Sequence, residues 1–400
     1  LRSKMNQIYK FYLTEFLKTQ RYFIPIMILF LQFSKLSYTE IFILYAIESA
    51  VIFIMEIPSG ILADRLGKKF ILILSRSFLI PAYFIFYFAD NFILFTAAMI
   101  FLGLNKAFKS GTHKAFIYDY LKQTGSDISP SEVFGKGKFW GRLGEASSSL
   151  IGGFIALKFG YNTVFLFTLF PAILNVFNAL TYEKIKENSN SGSTGFSGMT
   201  EHFTTAIKEV RDNRIVLKLI INSSIFMICA ETVEIYFQPY MVNVDVPLQW
   251  FGAIYTLIFI FTAFGSRYVF LAERKISRAT LTNITGWLGF IPLLLLGLNI
   301  NSRIIIFLFF VVFFLRHIRR PAITTEINDN ISSDNRATIL SVDSFFRSLM
   351  KIILLPILGY ISEISTIYIS ILILALLVFL NQIFFRIPDE KKGNKNIFPI

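Results

Sequence analysis

Long blocks of apolar residues recur about twelve times along this 400-residue chain, and they constrain its fold more than any other feature. Each block holds about 20 residues, the length of an α-helix that crosses the hydrocarbon core of a bilayer. Only 16% of the residues are charged, whereas soluble domains have about 25%. The sequence therefore predicts an all-α polytopic membrane protein with about twelve transmembrane helices.

The predicted spans are separated by short polar loops, with one longer interval in the middle. The spans cover residues 11–34, 40–62, 70–90, 92–121, 133–158, 161–182, 214–243, 247–272, 278–298, 302–328, 336–362 and 364–386. The middle interval contains the run ENSNSGSTGFSG, which is typical of a flexible linker. We therefore predict an N-terminal six-helix bundle in residues 1–182, a linker in 183–213 and a C-terminal six-helix bundle in 214–400.

Basic residues concentrate in the loops on one side of the predicted bundle. That side receives Arg65, Lys68, Lys69, Lys122, Lys136, Lys138, Arg142, Lys184, Lys186, Lys208, Arg211, Arg214, Arg274, Lys275, Arg278, Arg336, Arg386, Lys391, Lys392 and Lys395. The opposite loops hold little beyond Lys35, Lys158 and Arg303. The positive-inside rule then places the linker and both termini in the cytoplasm, with the bundle in the cytoplasmic membrane. It also accounts for the net charge of +13 without nucleic acid.

The residue types needed for catalysis or metal binding are scarce. The chain has one cysteine, Cys229, and three histidines, His113, His202 and His317, so a Cys/His metal cluster is not expected. Neither HxxxH nor ExxH spacing occurs in a predicted span, and no nucleotide-binding loop is visible. We therefore predict no enzyme activity, no catalytic residue, no metal and no cofactor.

One short charged stretch, GILADRLGKKF at residues 60–70, lies between the second and third predicted spans. It resembles the loop signature of the major facilitator superfamily. The match falls on Gly60, Asp64, Arg65, Gly67, Lys68 and Lys69. The resemblance implies a monomeric secondary transporter that works by alternating access, in which this loop is a conformational latch between the two halves.

The two halves of the sequence also resemble each other weakly. LAERKISRA follows the eighth span as LADRLGKKF follows the second, with Glu273 in the place of Asp64. Lys109 in the fourth span has an analogue, Arg316, in the tenth. Two related six-span halves are the architecture of this superfamily, and they extend the resemblance over nearly the whole chain.

Basic residues within the spans are the predicted substrate-binding groups, because a charge inside a membrane is costly unless it faces a cavity or a partner. In the superfamily, spans one, four, seven and ten line the central cavity. The candidates on these spans are Lys106, Lys109, His113, Arg316, His317, Gln238 and Tyr236. Arginine and lysine side chains suit a carboxylate or phosphate ligand, so we expect a small-molecule anion or an amphipathic compound.

Carboxylates within the spans are the predicted proton-coupling groups, because coupling requires a group that gains and loses a proton during transport. The candidates are Glu48, Glu231, Glu234 and Asp343. The alternative is that these residues only form ion pairs between helices. Asp343 and Arg347, four residues apart, have the spacing of such a pair.

The direction of transport rests on analogy alone. Proton-coupled export is widespread in the superfamily, and it is the direction we predict. The fifth span keeps Gly144, Gly152 and Gly153 but lacks the proline of the drug-antiporter signature. Proton-coupled uptake of an organic anion and a non-transporting receptor on the same fold therefore stay open as alternatives.

Overall fold

The computed structural model describes residues 2–185, 196–273, 275–300, 304–331 and 336–388. Within these ranges the chain forms sixteen α-helices. They are α1 Arg2–Leu17, α2 Met27–Phe33, α3 Tyr38–Leu66, α4 Lys68–Ser77, α5 Leu79–Phe88, α6 Phe92–Lys109, α7 Thr112–Thr124, α8 Pro130–Phe159, α9 Thr163–Leu180, α10 Phe196–Asp212, α11 Arg214–Asn243, α12 Phe251–Glu273, α13 Arg278–Gly297, α14 Ile304–Asp329, α15 Arg336–Ile364 and α16 Ile367–Phe384. The predicted positions outside the described residues are 186–195 of the linker, Arg274, Arg303 and the tail residues Lys391, Lys392 and Lys395.

Most of the predicted spans correspond to helices that match a bilayer in length and composition. Eight helical segments of the described chain are long and apolar enough to cross a membrane, and two further apolar helices, Ile24–Phe33 and Leu248–Thr262, are shorter. The predicted span 133–158 is a single helix of 30 residues, α8, in which glycines and charged side chains replace part of the apolar sequence. The all-α polytopic fold expected from the sequence is confirmed.

Local sequence explains where several helices begin. Ser37 and Glu40 form a reciprocal cap at the start of α3, in which the Ser37 side chain accepts from the Glu40 amide and the Glu40 carboxylate accepts from the Ser37 amide. Ser129, Ser277 and Thr366 accept from backbone amides at the starts of α8, α13 and α16. Such caps satisfy donors that have no partner within the helix.

Three predicted spans are interrupted, and this corrects the sequence prediction of continuous helices. The first span breaks between α1 and the 3-10 turn Ile24–Ile26, and the third is divided at Phe78 into α4 and α5. The fourth breaks between α6 and α7, where Gly111 has a φ of 71° that a residue with a Cβ rarely adopts. Lys109 is therefore the last residue of α6 and His113 is the second residue of α7, so the two side chains belong to separate helices.

The helices form two six-span groups that meet along two lines of contact. Helices α1–α9 pack among themselves, as do α11–α16, and the groups meet where α3 contacts α15 and where α8 contacts α12. We call the end of the bundle that carries α10 the linker end and the opposite end the far end. The domain boundaries at 182/183 and 213/214 stay predictions.

The two halves are in close contact at the far end. Gly153 of α8 meets Gly252 of α12, and the ring of Phe42 on α3 lies 5.2 Å from the ring of Tyr236 on α11. Small residues let helices approach in lipid, where association depends on close packing rather than on the hydrophobic effect. The described conformation is therefore closed at its far end.

Candidate functional site

A cavity of about 680 Å³ lies between the two halves. This volume is within the range of sites that bind small organic molecules, roughly 300–1,000 Å³. Its wall includes residues from α1, α3, α4, α6, α8 and α9 of the first half and from α11, α12, α14 and α15 of the second. We call it the central cavity.

Gln238 of α11 closes the central cavity toward the far end. Its amide nitrogen donates to the carbonyl oxygen of Ile24 at 2.8 Å and to the hydroxyl of Tyr255 at 3.1 Å. Its amide oxygen accepts from the backbone N–H groups of Ile28 at 2.8 Å and Leu29 at 3.3 Å. Gln238 lines the cavity, but its polar atoms join the two halves, so its role in this conformation is closure.

Tyr236 does not reach the central cavity, which corrects its prediction as a substrate-binding residue. The side chain is fully buried, and its hydroxyl shares a hydrogen bond of 2.7 Å with Ser362. The cavity-facing residues of α11 are Glu231, Thr232, Glu234, Ile235 and Gln238. At 100° per residue, Tyr236 lies opposite the face that carries Glu231, Glu234 and Gln238.

Charged side chains of both halves line the central cavity. Eight are basic (Lys18, Arg21, Arg76, Lys106, Lys109, Arg142, Arg316 and Lys351) and four are acidic (Glu48, Glu145, Glu231 and Glu234); His113 and His317 also face it. The structure thus brings the predicted candidates Lys106, Lys109, His113, Arg316, His317, Glu48, Glu231 and Glu234 to one cavity. The excess of basic groups gives this cavity a positive charge.

The second half contributes a balanced set of charges. Arg316 of α14 contacts the carboxylate of Glu234 and lies 3.2 Å from that of Glu231, both on α11. Lys351 of α15 contacts the other oxygen of Glu231. Nδ1 of His317 lies 2.8 Å from the carbonyl oxygen of Phe313, its own helix backbone. Two cations and two carboxylates therefore neutralise each other on this wall.

The first half contributes most of the positive charge. Lys106 pairs with Glu48 at 2.8 Å, and Arg142 pairs with Glu145 at 2.7 Å. Arg21 lies 3.9 Å from the same Glu145 carboxylate. These pairs all lie within the first half, just as the pairs of Arg316 and Lys351 lie within the second.

Glu15 of α1 sits behind this wall and contacts two of its groups. One carboxylate oxygen contacts Lys18, and the other lies 3.5 Å from Nδ1 of His113. Among the described side chains, no carboxylate lies within 4.0 Å of Lys109 or Arg76. The ammonium group of Lys109 and the guanidinium group of Arg76 therefore form no ion pair with a described carboxylate.

Asp343, a predicted proton-coupling residue, does not line the central cavity, and its coupling role stays a prediction. Its side chain is 1% exposed, and one carboxylate oxygen lies 2.9 Å from Arg320 and 3.0 Å from Arg347. The pairing with Arg347, four residues along α15, is the alternative that the sequence left open. Asp343 thus joins α14 to α15.

The residues of the superfamily loop lie at the linker end, apart from the central cavity. Asp64 and Arg65 are exposed at the end of α3, and Gly67 has a φ of 90° where the chain turns into α4. Lys68 pairs with Asp119 of α7 at 2.5 Å, and Lys69 donates to the carbonyl oxygen of Tyr182. Gly60 lies one turn earlier in α3. The latch role of these residues stays a prediction.

Several cavity residues were missed by the sequence analysis. They are Lys18, Arg21, Arg76, Arg142, Glu145, Asn175 and Lys351. Arg76 offered a clear signal, because it lies in the middle of the predicted span 70–90, where an ionisable residue is a functional candidate by default. The face of α8 that carries Arg142 and Glu145 could not be assigned without knowing its neighbours.

Comparisons with known proteins agree with this architecture. The family model described as Major Facilitator Superfamily matches residues 13–355. A protein of Bacillus subtilis (strain 168), the uncharacterized MFS-type transporter YxaM, is 23% identical over an alignment of 383 residues. The match covers 93% of this chain and 93% of that protein. The crystal structure of the nucleoside transporter NupG is similar with a TM-score of 0.76, at 12% identity, over 96% of this chain and 98% of that chain. The inward-open xylose transporter XylE from E. coli gives 0.72, at 15% identity, over 98% and 97%.

Proposed function

Because this chain belongs to the Major Facilitator Superfamily, we propose that it is a proton-coupled secondary transporter of a small organic anion. Family membership supports transport as its function. The observation that carries the proposal is the charge of the central cavity, where eight Lys and Arg side chains face four Glu side chains. Several cations that line one cavity attract an anionic ligand and can donate charge-assisted hydrogen bonds to it.

The proposed coupling group is the pair of carboxylates around Arg316. Arg316 is shared between Glu231 and Glu234, and Glu231 also has Lys351 as a partner. The side chain of Glu234 is 35% exposed, and Arg316 is its ion-pair partner among the described residues. A proton on Glu234 would remove one negative charge and release part of Arg316 to the anion, so proton and substrate binding would favour each other.

The proposed cycle alternates the end at which the central cavity opens. The far end is closed here by Gln238 and by the contact of Gly153 with Gly252. Access of the central cavity to the far side would require these contacts to separate. We propose that the linker end faces the cytoplasm, on the evidence of its basic loops. Export, the direction predicted from the sequence, stays a prediction; the cooperative binding of proton and anion proposed here would carry both in the same direction and so favours uptake, the alternative that the sequence left open.

The test is proton movement in proteoliposomes that contain the purified full chain and an internal pH dye. Organic anions such as benzoate and phenyl phosphate are added outside, and the lipophilic cation tetraphenylphosphonium is added in parallel. We expect proton flux with an anion and none with the cation. Proton flux that follows the cation would overturn the proposal. The sign of the flux when the anion gradient is reversed reports the direction of coupling.

A matched control shows that the effect belongs to the central cavity. Lys136 is exposed at the linker end of α8 and pairs with Glu132 at 2.7 Å, outside the cavity. Replacement Lys136→Gln removes one positive charge, as Lys109→Gln does. We expect anion-dependent flux to fall in Lys109→Gln and to persist in Lys136→Gln.

A further inference from the structure

The positive charge of the central cavity is concentrated in one half. On the wall of the second half, Arg316 and Lys351 face Glu231 and Glu234, and the charges balance. The first half presents six basic side chains, Lys18, Arg21, Arg76, Lys106, Lys109 and Arg142. Their carboxylate partners number three, since Glu15, Glu48 and Glu145 contact them. The first half therefore carries a surplus of about three positive charges.

Part of this surplus converges on a small region beside the break between α6 and α7. Lys109, at the end of α6, experiences the positive charges of Lys18, Arg21 and Arg76 and the opposing charge of Glu15. His113, at the start of α7, experiences those of Lys18, Arg76 and Lys109. Because these groups act on one another electrostatically and all line the cavity, an anion held in this region would be attracted by several of them at once.

Two buried nitrogen atoms of this region have no hydrogen-bond partner among the described residues. One is Nη1 of Arg76, a residue 5% exposed, and the other is Nε2 of His113, a residue 8% exposed. A buried polar atom without a partner is costly, so native proteins rarely leave one unless a ligand or water completes it.

The rest of each side chain is held in place. Nη2 of Arg76 donates to the Tyr182 hydroxyl at 3.2 Å, and its guanidinium lies over the Tyr182 ring, 5.0 Å from the centroid. Nδ1 of His113 faces Glu15, which fixes the ring so that Nε2 is the free nitrogen. A dianion beside Nε2 would stabilise the doubly protonated ring, in which this nitrogen donates.

We propose that Arg76, Lys109, His113 and Lys18 form a subsite for the head group of the substrate, and that this head group is a dianion of the phosphate-monoester type. The inference rests on the proposed function and narrows it. A single carboxylate would compensate only about one of the roughly three surplus charges, whereas a dianion compensates more of them. A phosphate monoester carries about −1.5 to −2 near neutral pH on three oxygens, which suits several converging donors.

The other end of the central cavity fits the organic part of such a substrate. Phe23, Tyr45, Tyr83, Tyr255 and Phe259 line the wall toward the far end. Aromatic side chains of this kind favour an apolar or ring-bearing group, whereas the head group stays with Arg76 and Lys109. The class of substrate is therefore an amphipathic organic phosphate.

The test compares head groups on one organic body. Binding of phenyl phosphate, benzoate and inorganic phosphate to the purified full chain is measured by titration calorimetry and by thermal shift at pH 7.5 and constant ionic strength. We expect phenyl phosphate to bind at least about tenfold more tightly than benzoate, the factor that one additional charge-assisted contact contributes. In Lys109→Gln that preference falls to about one, while Lys136→Gln retains it. Lys109→Arg, which keeps the charge, restores most of it.

Each possible outcome decides between the two proposals. Equal binding of benzoate and phenyl phosphate would reject the dianion subsite and leave the anion transporter standing. Binding of none of the three anions would reject both. A phosphate preference that survives in both Lys109→Gln and Arg76→Gln would reject this location. Circular dichroism and gel filtration show whether each variant is folded. If Arg76→Gln does not fold, the location is tested with Lys109→Gln alone.

Discussion

Gly153 of α8 and Gly252 of α12 meet backbone to backbone across the two halves of the molecule. A Cβ atom built on Gly153 would lie 3.0 Å from the Cα of Gly252, and one built on Gly252 would lie 2.6 Å from the carbonyl oxygen of Ser149. Backbone atoms cannot move aside as a flexible side chain can. The closed far end therefore depends on the absence of two side chains.

Replacement Gly252→Ala should separate α8 from α12 and weaken the closed conformation. Overpacking of this kind costs about 1–3 kcal/mol. We expect a lower apparent melting temperature in detergent and faster amide exchange at the N-terminal end of α12. The matched control is Gly135→Ala on α8, where a Cβ would meet nothing within 4 Å. Equal melting temperatures for the two variants would contradict the role of the glycine contact.

Gln238→Leu should loosen the second contact at the far end. The leucine fills a similar volume but leaves the amides of Ile28 and Leu29 and the carbonyl of Ile24 without partners, which costs about 1–3 kcal/mol. Hydrogen exchange in residues 24–33 should accelerate. The control is Asn243→Ala, which removes an exposed amide at the same end, 3.4 Å from the Tyr368 hydroxyl. This replacement should leave hydrogen exchange in residues 24–33 unchanged. Unchanged exchange in Gln238→Leu would show that the far end closes without this residue.

Glu234→Gln should uncouple transport from protons. The amide keeps the shape of a protonated carboxyl group but cannot release a proton, and it frees Arg316 from one of its two carboxylates. We expect anion exchange across proteoliposomes to persist while a pH gradient no longer drives net anion movement. Glu132→Gln, on the exposed pair with Lys136, should behave as the parent protein does. Gradient-driven transport in Glu234→Gln would assign coupling to another group.

Asp64→Asn should slow transport without weakening ligand binding. Asp64 is exposed at the linker end and does not line the central cavity, so a latch role belongs to another conformation. We expect a fall in the maximal rate of transport with the dissociation constant of the anion within about twofold of the parent value. Asp127→Asn removes an exposed carboxylate at the same end and serves as the control. A change in affinity alone would reject the latch.

The spans were predictable because lipid requires long uninterrupted apolar helices. The interruptions of helices within the spans were not predictable. Gly111 ends the helical continuity between Lys109 and His113 through one backbone angle, and glycines elsewhere, as at Gly137 and Gly141 of α8, stay helical. What distinguishes them is the packing of neighbouring helices, which a single sequence does not show.

The candidate site was partly predictable because a charge within a membrane span is costly unless it faces a cavity or a partner. Charged residues within spans indicated Lys109, Arg316, Glu231 and Glu234, all of which line the central cavity. Arg76 met the same criterion and was overlooked. Tyr236 was misplaced, although the spacing of Glu231, Glu234 and Gln238 already defines one face of α11, and Tyr236 falls outside it. Which charges pair, as Glu48 does with Lys106, depends on distances between helices.

The ion pairs of the central cavity have a consequence for the energetics of switching. Arg316 and Lys351 have their carboxylates within the second half, and Lys18, Arg21, Lys106 and Arg142 have theirs within the first. The halves can therefore rock as rigid bodies while these electrostatic contacts stay intact. The barrier between the two orientations would then come from interhelical contacts and hydration. Its height should change with temperature and bilayer thickness, and only slightly with ionic strength.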